Sequence, residues 1–300
     1  MFSRLILGLL FCTSVSAQTI KMVVPFSPGG QVDIITREAE KIVAQELKRT
    51  VMVEYRLGAG SSIGINSVAR NKTTEVNLMF IDANALANVI VSSSLDLTDF
   101  KFLALLGTTS TALAVVKGSP YKNLKYWNTV KRPINVGTNG VGSPHHYYTY
   151  SLGKSMNLLL EAVPYKGIAP AMNDLMNGSI DAMWGSVATL LPFEQAGKIE
   201  IIANLSTRRL PLVPNMPTFT ELGYPNAGAS THWMILANST ADPDTLQQVS
   251  ELFRKLPQDH DLYTKTHILP EQGSAESILK IRIQQQREFA DIVRATRTKQ

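Results

Sequence analysis

The stretch MVVPFSPGGQVDIITR, residues 22–37, predicts a buried strand, a glycine turn and a helix. Ile20 to Val24 is an apolar run of strand length, and Pro25 ends it because proline has no N–H for the ladder. Gly29 and Gly30 allow a ligand to approach the main chain closely. The first N–H groups of the following helix lack partners within the helix and carry partial positive charge. The pattern fits an anion receptor and an ordinary strand-to-helix connection equally well.

The composition is that of a globular protein of one or two domains. The chain has 300 residues, of which 44% are hydrophobic and 18% charged, so an intrinsically disordered chain is excluded. The net charge of +5 is mildly basic. The basic residues are spread along the chain without interleaved aromatic residues, so nucleic acid is not expected as a partner. A weak positive field favours small anions.

Residues 1–17 have the pattern of a cleavable signal peptide. Arg4 precedes an apolar core from Leu5 to Phe11, and the small residues 15–17 form a cleavage site. The pattern predicts export to the periplasm. The single cysteine, Cys12, lies in this leader, so the mature chain is expected to carry no disulfide and no thiol catalyst.

Alternating strand and helix patterns predict an α/β fold in which mixed sheets are flanked by helices. Gly118-Ser119-Pro120 interrupts the alternation, which restarts near Pro133. The strand pattern from Thr231 to Ala237 suggests that the chain returns there to the first lobe. We therefore expect two lobes joined by two hinge crossings, near Lys117 and near Trp233. Lobe 1 is predicted to comprise residues 18–117 and 235–300, and lobe 2 residues 118–234.

A second glycine-rich loop, TNGVGSPH at residues 138–145, also ends at a predicted helix. Ser143 and Pro144 are typical of the N-cap and first helical positions. If this loop faces the loop from Phe26 to Asp33, their N–H groups and hydroxyls could hold a carboxylate. Hydrogen bonds to charged groups are worth about 1.5–3 kcal/mol each. Roughly three to five of them, discounted for ordering and desolvation, would reach micromolar binding without a cationic side chain. The alternative is that residues 138–145 form an ordinary turn between a strand and a helix and bind no ligand.

Four motifs in order resemble those of the tripartite tricarboxylate transporter solute receptors, also called Bug or TctC proteins. They are PFSPGG with Asp33, EYRLGAGSSIG at 54–64, PYKG at 164–167 and PNMPT at 214–218. The resemblance implies a two-lobed periplasmic binding protein that closes on a small organic mono- or dicarboxylate and delivers it to membrane transporter subunits. It further implies a monomer without cofactor or reaction.

From the two loops and the resemblance we expect a ligand site without catalytic residues. The expected ligand-binding residues are Phe26, Ser27, Pro28, Gly29, Gly30, Asp33, Ser61, Thr138, Asn139, Gly140, Gly142, Ser143, His145, Tyr165 and Ser186. Asp33, in the first helical turn, suits both the helix dipole and a loop-ordering role. Adjacent His145 and His146 point in different directions, so no metal site is expected.

Two alternative functions remain open from the sequence. Gly60 to Gly64 matches G-x-S-x-G, which would make Ser62 the nucleophile of a serine hydrolase. No feature of the sequence selects a histidine partner for it. The other alternative is a receptor of the same fold that presents its ligand to a sensor protein.

Overall fold

The structure, a computed structural model, describes residues 19–297 except residues 142, 207, 208, 211, 226, 228 and 229, and at residues 285 and 288–297 it describes the backbone alone. The predicted signal peptide and Gly142 therefore lie outside the described residues. Among the described helices, none combines the length and apolarity that crossing a bilayer requires.

Lobe 1 is built on a six-stranded mixed sheet with the strand order β11-β4-β10-β3-β1-β2. Its strands are β1 Ile20–Val24, β2 Val51–Tyr55, β3 Asn77–Asp82, β4 Phe100–Thr109, β10 Thr231–Asn238 and β11 Leu269–Pro270. The strands β1, β2 and β3 are parallel, whereas β10 is antiparallel to both β3 and β4. The helices of this lobe are α1 Gln31–Leu47, α2 Ser62–Ala69, α3 Ala83–Ser92, α8 Pro243–Arg254, α9 Asp261–Thr266 and α10 Ala275–Arg297.

Lobe 2 is built on a five-stranded mixed sheet with the strand order β7-β6-β8-β5-β9. Its strands are β5 Thr111–Val116, β6 Ile134–Thr138, β7 Leu160–Pro164, β8 Ala182–Ser186 and β9 Ile199–Asn204. Its helices are α4 Leu124–Trp127, α5 Pro144–Met156, α6 Ile168–Met176 and α7 Val187–Gln195. Thus the predicted two-lobed α/β fold, with mixed sheets flanked by helices, is confirmed.

The two sheets share a local topology that determines where a ligand can bind. In lobe 1, β1 lies between β2 and β3, and in lobe 2, β6 lies between β7 and β8. The strand order therefore reverses direction at β1 and at β6. Ligands of open α/β sheets bind at such switch points, outside the carboxyl ends of the strands. The loops that follow β1 and β6 are the two glycine-rich loops.

The chain passes between the sheets at Ser110, not near Lys117 as the sequence suggested. β4 ends at Thr109 in the first sheet, and β5 pairs with β8 and β9 in the second from Thr111 onward. Gly118-Ser119-Pro120 is instead a turn within lobe 2, where the Ser119 side chain caps a short 3₁₀ helix. The returning strand β10 belongs to the first sheet along its whole length, so its start at Thr231, ahead of Trp233, is already in lobe 1.

Each lobe has its own hydrophobic core. Lobe 1 has a single large cluster, while lobe 2 has one cluster on each face of its sheet. Trp184 is almost fully buried in lobe 2, with its ring 5.8 Å from Tyr148 and 5.7 Å from Phe219. Its Nε1 donates to Thr149 Oγ1 at 3.0 Å, and Thr149 Oγ1 donates to the His145 carbonyl at 2.9 Å. This chain of contacts fixes the N-terminal turn of α5.

Asp181 and Arg132 form a two-pronged ion pair beside β6. The Arg132 nitrogens donate to both Asp181 oxygens at 2.7 Å, and the Asn135 N–H donates to Oδ2 at 2.9 Å. Burial alone would raise the pKa of Asp181, but Arg132 and the Asn135 N–H hold that pKa below its usual value. The Asp181 side chain is 10% exposed, so the pair is less screened than a surface pair.

We expect Asp181→Asn to lower the free energy of unfolding by about 1–3 kcal/mol near pH 6. A carboxyl whose folded pKa is depressed stabilises the fold above its unfolded pKa of about 3.9. That contribution is lost as pH falls through the folded value, so the difference between variant and wild type should shrink below about pH 4. Urea unfolding of the variant and the wild type near pH 6 and below about pH 4 checks this. Asp259→Asn, at an exposed site, is the control. A pH-independent difference would contradict it.

Candidate functional site

A small cavity of about 60 Å³ lies between the lobes. The residues around it come from both lobes. They are Phe26, Ser27, Gly30, Gln31, Val32, Asp82, Thr109, Thr111, Asn139, Pro144, His145, Tyr148, Gly167, Ile168, Ser186, Thr189, Thr231 and Trp233.

The first glycine loop reaches the cavity through Phe26, Ser27 and Gly30. Asp33 orders this loop from the helix side, because its Oδ2 accepts the Gly29 N–H at 2.8 Å. Its Oδ1 accepts the Tyr55 hydroxyl at 2.6 Å. The predicted loop-ordering role of Asp33 thus agrees with its contacts, but Asp33 does not line the cavity, and Pro28 and Gly29 are exposed.

The second glycine loop reaches the same cavity through Asn139, Pro144 and His145. Ser143 is the predicted N-cap of α5, and its Oγ accepts the His146 N–H at 3.3 Å. Thr138 is buried and donates to the Val163 carbonyl at 3.3 Å. These two hydroxyls therefore shape the loop from outside the cavity, while Gly142 lies outside the described residues.

Three further predicted residues lie in an adjacent cleft of about 210 Å³. Ser61, Gly140 and Tyr165 line this cleft together with Phe26 and Asn139, which also line the cavity. The Tyr165 hydroxyl donates to Asp174 Oδ2 at 2.7 Å, which holds it on lobe 2. The main-chain segment after Tyr165 does reach the cavity, through Gly167 and Ile168.

Gln31 is a cavity residue that the sequence analysis did not include. Its Oε1 accepts the hydroxyl of Ser186 from lobe 2 at 2.9 Å, and its Nε2 donates to the Thr266 carbonyl at 2.6 Å. Gln31 thus ties the first turn of α1 to both lobes. Ser186, which was predicted, lies at the end of β8 and caps α7 through the Thr189 N–H at 3.1 Å. The signal for Gln31 was its position directly after the glycine pair.

Asp82 is another cavity residue that sequence reasoning missed. It is the last residue of β3, 8% exposed, and its Oδ1 caps α3 by accepting the Asn84 and Ala85 N–H groups. Burial raises the pKa of Asp82 to about 6, against the lowering effect of those N–H groups. An acidic residue at the end of an apolar strand was the available signal, because strand ends meet the cleft.

Two polar atoms at the cavity residues have no partner among the described residues. They are Ser27 Oγ and His145 Nδ1, both buried. Burial lowers the pKa of His145 to about 3, so the imidazole is neutral at physiological pH. Buried polar groups in native proteins are nearly always hydrogen-bonded, and a group left without a partner costs about 1–3 kcal/mol. A ligand bound in the cavity could satisfy both.

The described cavity residues include neither lysine nor arginine. In the described part of the chain, no three His, Cys, Asp or Glu residues are grouped to hold a metal ion. Ser62, which begins α2, lines neither the cavity nor the adjacent cleft. The polar groups at the site are therefore main-chain groups, neutral side chains and one carboxyl.

The lobes touch one another through their glycines. A Cβ on Gly60 of lobe 1 would lie 2.3 Å from the Val141 carbonyl oxygen of lobe 2. A Cβ on Gly140 would lie 3.2 Å from the Gly60 Cα. Ser27 N also donates to the Lys166 carbonyl at 3.3 Å. The described arrangement is therefore closed, and it depends on glycine where the loops meet.

Solved structures share this architecture. "Structure of a periplasmic transporter" aligns with a TM-score of 0.80 at 26% identity, covering 94% of this chain and 98% of that one. MatC from Rhodopseudomonas palustris, solved with bound malate, aligns with a TM-score of 0.80 at 21% identity, covering 91% of this chain and 99% of MatC. The alignment with MatC shows a shared fold and nothing more.

Sequence comparison identifies the family. Protein BugT of Bordetella pertussis is 28% identical over 236 residues, covering 76% of this chain and 72% of BugT. Residues 35–296 match the family described as "Tripartite tricarboxylate transporter family receptor", which spans both lobes and confirms the resemblance inferred from the four motifs. The chain therefore belongs to the tripartite tricarboxylate transporter receptor family.

Proposed function

We propose that this receptor captures a small organic carboxylate in the interlobe cavity and delivers it to the membrane subunits of a tripartite tricarboxylate-type transporter. Ser27 Oγ and His145 Nδ1, buried without partners where the two glycine loops meet, carry the proposal. MatC, which has the same fold, was solved with bound malate, and this supports a carboxylate ligand. The predicted signal peptide supports a periplasmic location.

In the proposed complex, the carboxylate lies between the two loops. The N-terminal turns of α1 and α5 both start at the cavity, at Gln31 and Pro144, and their positive ends favour an anion. Ser27 Oγ donates to the carboxylate, as does neutral His145 in the tautomer that places its proton on Nδ1. Binding of this kind needs no cationic side chain, no cofactor and no reaction, and a monomer suffices for it.

We expect small organic acids to raise the melting temperature of the protein in a thermal-shift screen, because a ligand of the native state stabilises it by RT ln(1 + [L]/Kd). The Ser27→Ala variant should bind the best acid about tenfold more weakly, which corresponds to the loss of one hydrogen bond to a charged group. Ser155→Ala, at an exposed position of α5, should bind like the wild type.

One further variant, Ser62→Ala, tests the hydrolase alternative. Ester turnover that disappears in Ser62→Ala, without stabilisation by any organic acid, would overturn the proposed receptor function. Equal affinities in Ser27→Ala and the wild type would place the ligand elsewhere.

A further inference from the structure

The Asp82 carboxyl is held rigidly beside the cavity. Because its Oδ1 accepts the Asn84 N–H at 3.0 Å and the Ala85 N–H at 2.9 Å, the side chain is fixed by the cap of α3. Asp82 and Trp233 are paired across β3 and β10, and both line the cavity. The carboxyl therefore belongs to the rigid frame of lobe 1 and not to a mobile surface.

Groups from several elements face this carboxyl. Tyr148 of α5 accepts a hydrogen bond from Asn84 Nδ2 at 3.0 Å, and Thr231 of β10 also lines the cavity. Arg282 of α10 acts electrostatically on Asp82. It also donates to the Ser230 carbonyl and lies 3.3 Å from His232 Nδ1.

Burial dominates over these partners and raises the pKa of Asp82 to about 6. The carboxyl is thus mostly ionised at neutral pH. Neutral His145 adds no positive charge, and the described lining residues supply no lysine or arginine. The cavity therefore combines loops suited to an anion with a carboxylate suited to a cation.

We propose that Asp82 makes the cavity selective for carboxylic acids that also carry an ammonium group. The proposal rests on the proposed carboxylate-binding function. The loops hold the carboxylate of the ligand, and Asp82 accepts from its ammonium group in a charge-assisted hydrogen bond. An unsubstituted dicarboxylate would place a second negative charge in the same small cavity, which like-charge repulsion disfavours.

Calorimetric titration with one carbon skeleton tests this selectivity. The probes are propionate, its 2-hydroxy derivative lactate, and its 2-amino and 3-amino derivatives alanine and β-alanine, with succinate and aspartate as a larger pair. We expect at least one amino derivative to bind at least tenfold more tightly than its unsubstituted parent near pH 7.5. Equal or better binding of propionate, lactate and succinate would overturn the inference.

The variant Asp82→Asn separates charge from folding, because asparagine is an equally good N-cap. We expect it to reduce the preference for the amino derivative over the parent acid at least tenfold, because asparagine carries no charge to pair with the ammonium group and no longer repels the parent acid. Asp242→Asn is the matched control: Asp242 caps α8 through the Thr245 N–H, away from the cavity. An unchanged preference in Asp82→Asn would also overturn the inference.

The pH dependence gives a further readout. If an ionised Asp82 is required, affinity for the amino derivative falls as pH drops below 6, by about tenfold at pH 5, where about one molecule in eleven is ionised. Affinity that instead rises on acidification would mean that a protonated Asp82 donates to the ligand, and would overturn the inference. If no acid binds the folded protein at any pH, the proposed function itself fails; if acids bind without amino preference, only the selectivity fails.

Discussion

Replacing Gly60 with alanine is expected to weaken ligand binding at least about 100-fold, or ~2.7 kcal/mol. The added Cβ would lie 2.3 Å from the Val141 carbonyl oxygen across the lobe contact. Because this neighbour is main chain and not the end of a flexible side chain, the lobes must separate to accommodate the methyl group. A ligand that needs both loops then loses the contacts of one, and its apparent affinity falls with the population of the closed state.

Gly197→Ala is the matched control for Gly60→Ala. Gly60 has φ 58° and Gly197 has φ 68°, yet a Cβ on Gly197 would meet nothing within 4 Å. Both variants therefore carry the backbone cost of a left-handed alanine, about 1 kcal/mol, but Gly60→Ala alone blocks closure. Calorimetry gives the affinities and small-angle scattering gives the radius of gyration with ligand. Normal affinity in Gly60→Ala would show that the described lobe contact is not needed for binding.

The periodic elements of this fold were predictable because local signals specify them. The strand predicted at Ile20–Val24 has the same bounds as β1, and Ser143 and Pro144 occupy the predicted first positions of α5. Helix α4, between the turn at Gly118-Ser119-Pro120 and β6, is only four residues long and is preceded by a short 3₁₀ helix. The crossing at Ser110 was missed because turn residues look alike whether or not the chain changes sheets, and the pairing of β4 with β10 is a long-range event.

The candidate site was predictable to the level of its loops but not of its individual side chains. Glycine and helix-start patterns located both loops, and Phe26, Ser27, Asn139 and His145 do line one cavity. Gly30 lines it as well. Which face of a loop points inward depends on contacts such as that of Asp33 with Tyr55, and one sequence does not show them. Gln31 and Asp82 were missed because each also has an ordinary structural role at the start of a helix.

Topology supports the proposed recognition of an anion by a cavity whose described lining residues include no lysine or arginine. Each lobe contributes the loop after its switch-point strand, β1 or β6, and each loop leads into the N-terminus of a helix. The partial positive charges of two helix ends therefore converge on one small volume with limited access for water, where electrostatic interactions are stronger than at the surface. Both lobes are needed for this arrangement, so we expect affinity to be coupled to closure.

Gly30→Val is expected to abolish binding while leaving the fold intact. Gly30 lines the cavity, and its Cβ would stand 3.7 Å from both Ile168 Cγ2 and the Ser27 carbonyl oxygen. An alanine fits there in ordinary contact, but the two further carbons of valine extend from that position into a volume of about 60 Å³. Gly30 is also the N-cap of α1 without a side-chain cap, so both substitutions lose similar helix stability, about 1 kcal/mol.

The comparison of Gly30→Ala with Gly30→Val therefore separates the effect of cavity volume on affinity from the effect of helix capping on stability. We expect melting temperatures within a few degrees of each other, a modest loss of affinity for alanine, and a loss of more than about 100-fold for valine. Since Gly30 has φ −85°, neither variant is strained by a left-handed backbone, unlike Gly60→Ala. If Gly30→Val binds as tightly as Gly30→Ala, the ligand does not occupy the space between the two glycine loops, and the site must then lie in another part of the cleft.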